Sequence, residues 1–129
     1  MRFNPTAARN LARILEATHA SLVLTTTHRI RYSVRAWADL FAARGIHPAS
    51  IAKVNDLTEL STIPDRATEV AEWVAKYGQQ EAYIVIDDDL SLNGLPLSIR
   101  SRCVLTKPLL GLSDEATENV LALARDFLW

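Results

Sequence analysis

The sequence predicts one α/β domain built on a mainly parallel sheet. Short apolar or β-branched runs alternate with longer segments in which apolar residues recur at helical spacing. Strands that alternate with helices over short connections form parallel sheets with right-handed crossovers. The chain has 129 residues, which is the length of one domain with a proper core. We therefore expect residues 1–129 to form a single unit.

The first half of the chain predicts helix, strand, helix and strand. Asn4 is expected to cap the first helix, because Pro5 suits the first helical position, where a missing N–H costs nothing. Ser33 or a neighbour begins the second helix, and Gly45 is expected to end it. The four predicted elements cover residues 4–19, 22–24, 33–45 and 51–54.

The second half follows the same alternation. Pro64 and Asp65 begin a helix that ends at Gly78, and Ser113 caps the last helix. Tyr83 to Ile86 is a continuous apolar run, which is typical of a strand buried on both faces. The predicted elements are a loop at 55–63, a helix at 64–78, a strand at 83–86, a loop at 91–98, a strand at 103–105 and a helix at 113–127.

Composition and charge narrow the class of protein. The 14 basic and 15 acidic residues nearly balance, so no general basic field favours nucleic acid. A single cysteine, Cys103, excludes an intramolecular disulfide and fits a reducing compartment. No run approaches the ~20 apolar residues of a membrane span, and the first residues lack the apolar core of a signal peptide. We expect a soluble, cytoplasmic protein with no membrane partner.

Two of the predicted strands end in polar clusters. Residues 25–29 (Thr-Thr-Thr-His-Arg) follow the first strand, and Asp87, Asp88 and Asp89 follow the third. Ligands of parallel sheets bind at the carboxyl ends of the strands. Hydroxyl and backbone N–H groups suit an anion, whereas adjacent carboxylates suit Mg²⁺. Three neighbouring acids repel one another strongly in a dry site, so they are either solvated or neutralised by a cation.

Arg66 adds a cation to this pattern. It lies in the first turn of the helix before the acidic strand, where it could reach a phosphate from the side. Metal, phosphate-binding hydroxyl and cation are the parts of a phosphoryl-transfer site. Simpler interpretations remain open: Arg66 pairs with Glu69 or Glu72 on the surface, and the three aspartates form a solvated turn or a helix cap.

The polar clusters also resemble a known family. Residues 22–29, 66–73 and 83–89 occur in the order expected of the haloacid dehalogenase (HAD) superfamily. Residues 102–113 (Arg-Cys-Val-Leu-Thr-Lys-Pro-Leu-Leu-Gly-Leu-Ser) resemble the small capless HAD domains of RNA-repair "Swiss army knife" proteins. The resemblance implies a three-layer Rossmannoid fold and Mg²⁺-dependent phosphoester hydrolysis through an aspartyl-phosphate. An active member would act on a phosphorylated small molecule or a nucleic-acid end.

The resemblance also implies a role for each site residue. Thr25, with Thr26, resembles the hydroxyl that hydrogen-bonds the phosphoryl group, and Arg66 resembles the cation that stabilises its charge. Asp87 and Asp88 resemble the acids that hold Mg²⁺, and Asp89 is a substitute for either.

One motif of the superfamily is missing from the sequence. A strand ending in Asp-x-Asp, which carries the nucleophile, should precede the Asn4 helix, where only residues 1–3 stand. In the superfamily's strand order, 5-4-1-2-3, it would be the central strand. We therefore expect an inactive HAD-like domain, if the sequence is not an N-terminally shortened one.

The missing strand leaves three arrangements open. The sequence is a shortened form of a full enzyme, or strand 22–24 pairs directly with strand 83–86, or a second chain fills the gap. The last arrangement gives a competing hypothesis, a non-catalytic interaction module that pairs with a partner strand or forms a homodimer. The apolar end at residues 127–129 (Phe-Leu-Trp) agrees with it.

Overall fold

The structure, a computed structural model, describes residues 4–106 and 111–127, apart from the side chains of residues 27, 28 and 60. Helices α1 to α5 cover Pro5–Thr18, Val34–Ala42, Arg66–Tyr77, Leu97–Arg100 and Asp114–Phe127. Strands β1 to β4 cover Leu22–Leu24, Ile51–Lys53, Val85–Asp87 and Cys103–Leu105. Short 3₁₀ helices cover Thr27–Arg31, Leu60–Thr62 and Leu90–Gly94. The predicted alternation of helices and strands is confirmed.

The starts of the first three helices are fixed by local capping. The side-chain oxygens of Asn4, Ser33 and Asp65 each accept a backbone N–H from two or three residues further on. These bonds satisfy N–H groups that have no partner within the helix. Helix α2 ends at Ala42, and Gly45 follows with a φ of 74°, a left-handed conformation that glycine adopts without strain. The predicted starts at Asn4, Ser33 and Asp65 are confirmed, whereas the predicted C-cap at Gly45 is wrong, because the helix already ends with Ala43 as its C-cap.

The strands form two separate parallel pairs. Leu22 of β1 lies opposite Ile51 of β2, and Val85 of β3 lies opposite Cys103 of β4. In the described residues β1 and β3 belong to different two-stranded sheets. The parallel arrangement is confirmed, but the direct pairing of strand 22–24 with strand 83–86 is wrong. Residues 1–3, where the resemblance would place the first motif, lie outside the described residues, as do residues 128 and 129.

Helices cover β3 on both faces. Ile86 packs with the cluster of α1 and α5, whereas Val85, one residue earlier, packs with the cluster of α3 and α4. Successive side chains of a strand point to opposite faces, so this strand is the middle of three layers. Leu11 of α1 contacts both the cluster on β1 and the cluster on β3 and β4. Helix α1 therefore packs across both sheets, and the predicted three-layer arrangement is confirmed.

The segment after β3 differs from the prediction. The sequence predicts a loop at residues 91–98, because Gly94 and Pro96 are turn residues. The segment instead contains a 3₁₀ helix and α4, with Leu92 and Ile99 buried against α3. Burial of these apolar side chains stabilises short helical turns that local propensity does not favour. Within the described ranges, none of the helices combines the length and the apolar character needed to cross a bilayer.

Candidate functional site

Asp87, the last residue of β3, is the centre of the candidate site. Its buried Oδ2 accepts a hydrogen bond from Thr25 Oγ1 at 3.2 Å and pairs with Nη1 of Arg66. Thr25 follows β1, and Arg66 is the first residue of α3. The two predicted strand ends therefore meet, although Thr25 and Asp87 are 62 positions apart in the sequence.

The other oxygen of Asp87 is also occupied. Oδ1 accepts the backbone N–H of Asp88 at 2.8 Å and that of Asp89 at 3.3 Å. The Asp87 carboxylate thus has a charged partner and three further donors, which compensate for its removal from water. Arg66 is committed to this carboxylate. The simpler interpretation of Arg66, a surface ion pair with Glu69 or Glu72, does not occur among the ion pairs of the described residues.

Asp88 is the exposed carboxylate of the site. Partial desolvation raises its pKa, and the hydrogen bond with Asp87 and the negative charge of Asp87 raise the pKa further. A raised carboxyl pKa means that the negative form is unfavourable where it stands. A cation beside Asp88 would offset that cost, and the carboxylate is exposed to solvent, where a cation can reach it.

Asp89 has a structural role. Its Oδ1 accepts the N–H of Ser91 at 2.9 Å and caps the 3₁₀ helix Leu90–Gly94. Hydrogen bonding by the side chain of Ser91, followed by this backbone bond, lowers the pKa of Asp89. Ser91 Oγ in turn accepts the N–H of Ala67 at 3.1 Å, in the first turn of α3. Asp89 therefore connects the end of β3 to the helix that carries Arg66.

The acidic residues could supply only some of the ligands that Mg²⁺ requires. In the part of the chain that the structure describes, no three His, Cys, Asp or Glu side chains converge as a metal's ligands would. Mg²⁺ commonly takes one or two carboxylates and completes its shell with water and substrate phosphate. Asp88, next to Asp87, meets that smaller requirement, and the predicted metal site stays a prediction.

The charge around Asp87 favours a cation over a free anion. Four carboxylates (Asp65, Asp87, Asp88 and Asp89) stand near one guanidinium, that of Arg66. The formal sum of these five groups is −3, which repels an uncomplexed phosphate. The predicted phosphate-binding role of the threonines and Arg66 stays a prediction, and this charge would oppose it unless a cation offset the acids.

A buried polar network beside the site was not predicted. Arg29 and Glu69 are 0% and 2% exposed, and Arg29 Nη2 lies 2.5 Å from Glu69 Oε2. Asn55 completes the network: its Nδ2 donates to Glu69 Oε2 at 2.7 Å, and its Oδ1 accepts from Arg29 Nη2 at 3.0 Å. A signal for Glu69 does exist in the sequence. It precedes the buried Val70 and lies four positions before Trp73, on the inward face of α3.

The same arginine holds the loop that carries the threonines. Arg29 Nη1 donates to the carbonyl oxygens of Thr25 at 3.0 Å and Thr26 at 3.2 Å. Arg29 Nε is buried and is the only such side-chain nitrogen or oxygen without a hydrogen-bond partner in the described residues. The backbone of both predicted phosphate-binding threonines is thus anchored to a charge that water does not reach.

A cavity of about 280 Å³ lies next to this network. It opens between the end of β2 and α3, and its lining includes Asn55, Glu69 and the aromatic side chains of Trp73 and Tyr77. Neither Arg66 nor Asp87 lines it. The candidate site at Asp87 is therefore a feature of the strand ends, separate from this cavity.

Comparison with protein families supports the resemblance. Residues 1–117 match the family described as the HAD domain in Swiss Army Knife RNA repair proteins. Neither the curated proteins nor the solved structures gave a match. Because the matched segment covers most of the 129 residues, the chain belongs to this family of HAD domains.

Proposed function

We propose that this chain is a HAD-type phosphohydrolase domain that binds Mg²⁺ and a phosphoryl group at the ends of β1 and β3. The observation that carries the proposal is the convergence of Thr25 and Arg66 on Asp87. Hydroxyl, guanidinium and carboxylate groups on separate elements meet at the edge where parallel sheets bind ligands. Phosphorylated small molecules and phosphorylated nucleic-acid ends are the substrate classes that fit such a site.

Each group has a role in this proposal. Asp88, next to Asp87, holds Mg²⁺, whose positive charge would offset the acids and polarise a phosphoryl oxygen. When phosphate binds, the Thr25 hydroxyl exchanges its bond to Asp87 for one to a phosphoryl oxygen, and the Thr26 hydroxyl donates to another. Arg66 balances the charge that develops on these oxygens. Arg66 stays within reach of Asp87, so it stabilises the acidic site before the ligand arrives.

On the described residues alone, we propose binding without turnover. The Asp87 carboxylate is occupied by four donors, and Asp89 caps a helix, so neither is free to attack phosphorus. A nucleophilic carboxylate would have to come from a strand outside these residues.

A titration of the full chain with inorganic phosphate, followed by NMR, tests the proposal. Phosphate should bind in the presence of Mg²⁺ and show no binding in its absence, because the site carries a net negative charge without the metal. Asp88→Asn should abolish the Mg²⁺-dependent binding. Asp39→Asn is the matched control, since Asp39 is an exposed aspartate on α2. Equal phosphate affinity with and without Mg²⁺, or unchanged binding in Asp88→Asn, contradicts the proposal.

The separation of the two sheets favours a second candidate function. Strands β1 and β3 belong to different sheets in the described residues, although their ends meet at Asp87. Such a pair of sheets can accept a strand between them, as in donor-strand complementation. The second candidate is thus an interaction module that pairs with a partner strand or with a second copy of this chain. Light scattering at increasing concentration tests the homodimer, and a strict monomer excludes it.

A further inference from the structure

The ion pair of Arg29 and Glu69 is not explained by stability. Both side chains are shielded from water almost completely, at 0% and 1% side-chain exposure. A buried ion pair is weak evidence for stability, because desolvation of the two charges offsets most of their attraction. Well-packed apolar residues of similar volume often serve a fold equally well. The position of the pair is therefore more informative than its strength.

The pair connects three segments near the candidate site. Arg29 holds the carbonyl oxygens of Thr25 and Thr26, which follow β1. Asn55, which follows β2, bonds to both members of the pair. Glu69 lies three residues after Arg66 on α3, about 4.5 Å along the helix axis.

These connections matter because β1 and β3 share no sheet. In the described residues no ladder of backbone hydrogen bonds sets the distance between the Thr25 loop and Asp87. The network joins that loop to α3, and α3 carries the guanidinium that holds Asp87. A shift of Glu69 along or around α3 would therefore move Arg66 relative to Thr25.

We propose that Arg29 and Glu69 are positioning residues. Their buried ion pair fixes the Thr25–Thr26 loop against α3, so that the Thr25 hydroxyl and the Arg66 guanidinium meet at one carboxylate. The functional consequence of this role is tight Mg²⁺-dependent phosphate binding, and that consequence rests on the proposed function. The geometry of Asp87 itself depends on the pair whether or not a ligand is bound.

The test compares two paired substitutions in the full chain. Arg29→Met with Glu69→Leu removes both buried charges. It also removes the partners of the Thr25 and Thr26 carbonyl oxygens and of the Asn55 amide, so the thermal unfolding midpoint is measured to establish that the variant is folded. Affinity for inorganic phosphate with saturating Mg²⁺ should fall by about tenfold or more, a loss typical of groups that orient metal-site residues. Arg13→Met with Glu118→Leu is the matched control, because that pair is 2.7 Å apart and more than half exposed. It should leave phosphate affinity unchanged.

A second readout does not need a ligand. The Asp88 amide donates to Asp87 Oδ1, so its ¹H–¹⁵N signal reports the orientation of Asp87. That signal should shift in the unliganded Arg29→Met, Glu69→Leu variant and stay in place in the control. If the folded variant binds phosphate within about twofold of the wild type and its Asp88 signal does not move, the positioning role is wrong.

The two readouts separate this role from the proposed function. If the wild type binds no phosphate, the proposed function fails, and the Asp88 signal alone decides the positioning role. If the paired variant does not fold, Arg29→Lys replaces it, since lysine keeps the buried charge but cannot reproduce the planar fork of donors. Weakened phosphate binding by a folded Arg29→Lys variant supports the role, and unchanged binding overturns it.

Discussion

Replacement of Arg66 by methionine should destabilise the fold through Asp87. The two side chains are 14% and 6% exposed, so the substitution leaves a buried carboxylate without its charged partner. Loss of one member of a buried pair typically costs about 3–5 kcal/mol. Thr25 and two backbone N–H groups still donate to Asp87, so we expect the lower end of that range, about 3 kcal/mol.

The expected loss is large enough to measure by thermal unfolding. For a domain of this size about 1 kcal/mol corresponds to roughly 4 °C, so the midpoint should fall by about 12 °C. Arg13→Met is the control, because Arg13 pairs with Glu118 at the surface and that pair should contribute at most about 1 kcal/mol. If the Arg66 variant loses no more stability than the Arg13 variant, Arg66 does not hold Asp87 and the described site geometry is wrong.

Further substitutions test single features of the site and the fold. Asp88→Asn should weaken Mg²⁺ binding, measured by calorimetry, by about tenfold or more. Asp89→Asn should change Mg²⁺ affinity by less than about twofold, because asparagine also caps a helix. Equal losses of Mg²⁺ affinity in the two variants would show that both carboxylates hold metal. Burial raises the pKa of the Cys103 thiol, and a nearby carboxylate charge raises it further, so half-maximal alkylation by iodoacetamide should occur above the pH of about 8.5 of an ordinary thiol. Half-maximal alkylation at or below that pH would contradict the raised pKa. The same shift favours the protonated thiol in the folded state, so the contribution of Cys103 to stability is present below the unfolded pKa and is lost as pH rises through the folded pKa. Gly45→Ala should lower the free energy of unfolding by about 1 kcal/mol, because only the left-handed backbone, and no neighbouring atom, opposes a Cβ. Gly94→Ala is the control, because Gly94 has neither a left-handed backbone nor an atom close to an added Cβ. An equal loss of stability in the two variants would contradict the backbone strain expected at position 45.

The helix starts could be predicted because capping is local. Asn4, Ser33 and Asp65 each bond a backbone group within three residues, so the sequence contains both partners side by side. The 3₁₀ helix and α4 after β3 could not be predicted in the same way. Their turns depend on burial of Leu92 and Ile99 against α3, which is a tertiary effect.

The residues of the candidate site could be predicted from the sequence, but the ion pairs and hydrogen bonds that hold them could not. The carboxyl ends of parallel strands share an edge of the sheet, and this rule alone predicts that Thr25 lies near Asp87. The ion pair of Arg29 and Glu69 joins residues 40 positions apart, and no spacing rule predicts such a pair. The packing of α1 across both sheets is likewise a long-range contact that no local pattern indicates.

The location of the cation is the most direct test of the proposed site. Mn²⁺ prefers the same oxygen ligands as Mg²⁺, and its unpaired electrons broaden the NMR signals of nearby amides. Substoichiometric Mn²⁺ should broaden the amide signals of Thr25 and Asp88 first, and excess Mg²⁺ should restore them. A separate cavity of about 290 Å³ lies beside the end of α1 and is lined in part by Glu16, His19 and His47. Broadening centred on that cavity would place the cation elsewhere and contradict the proposed function.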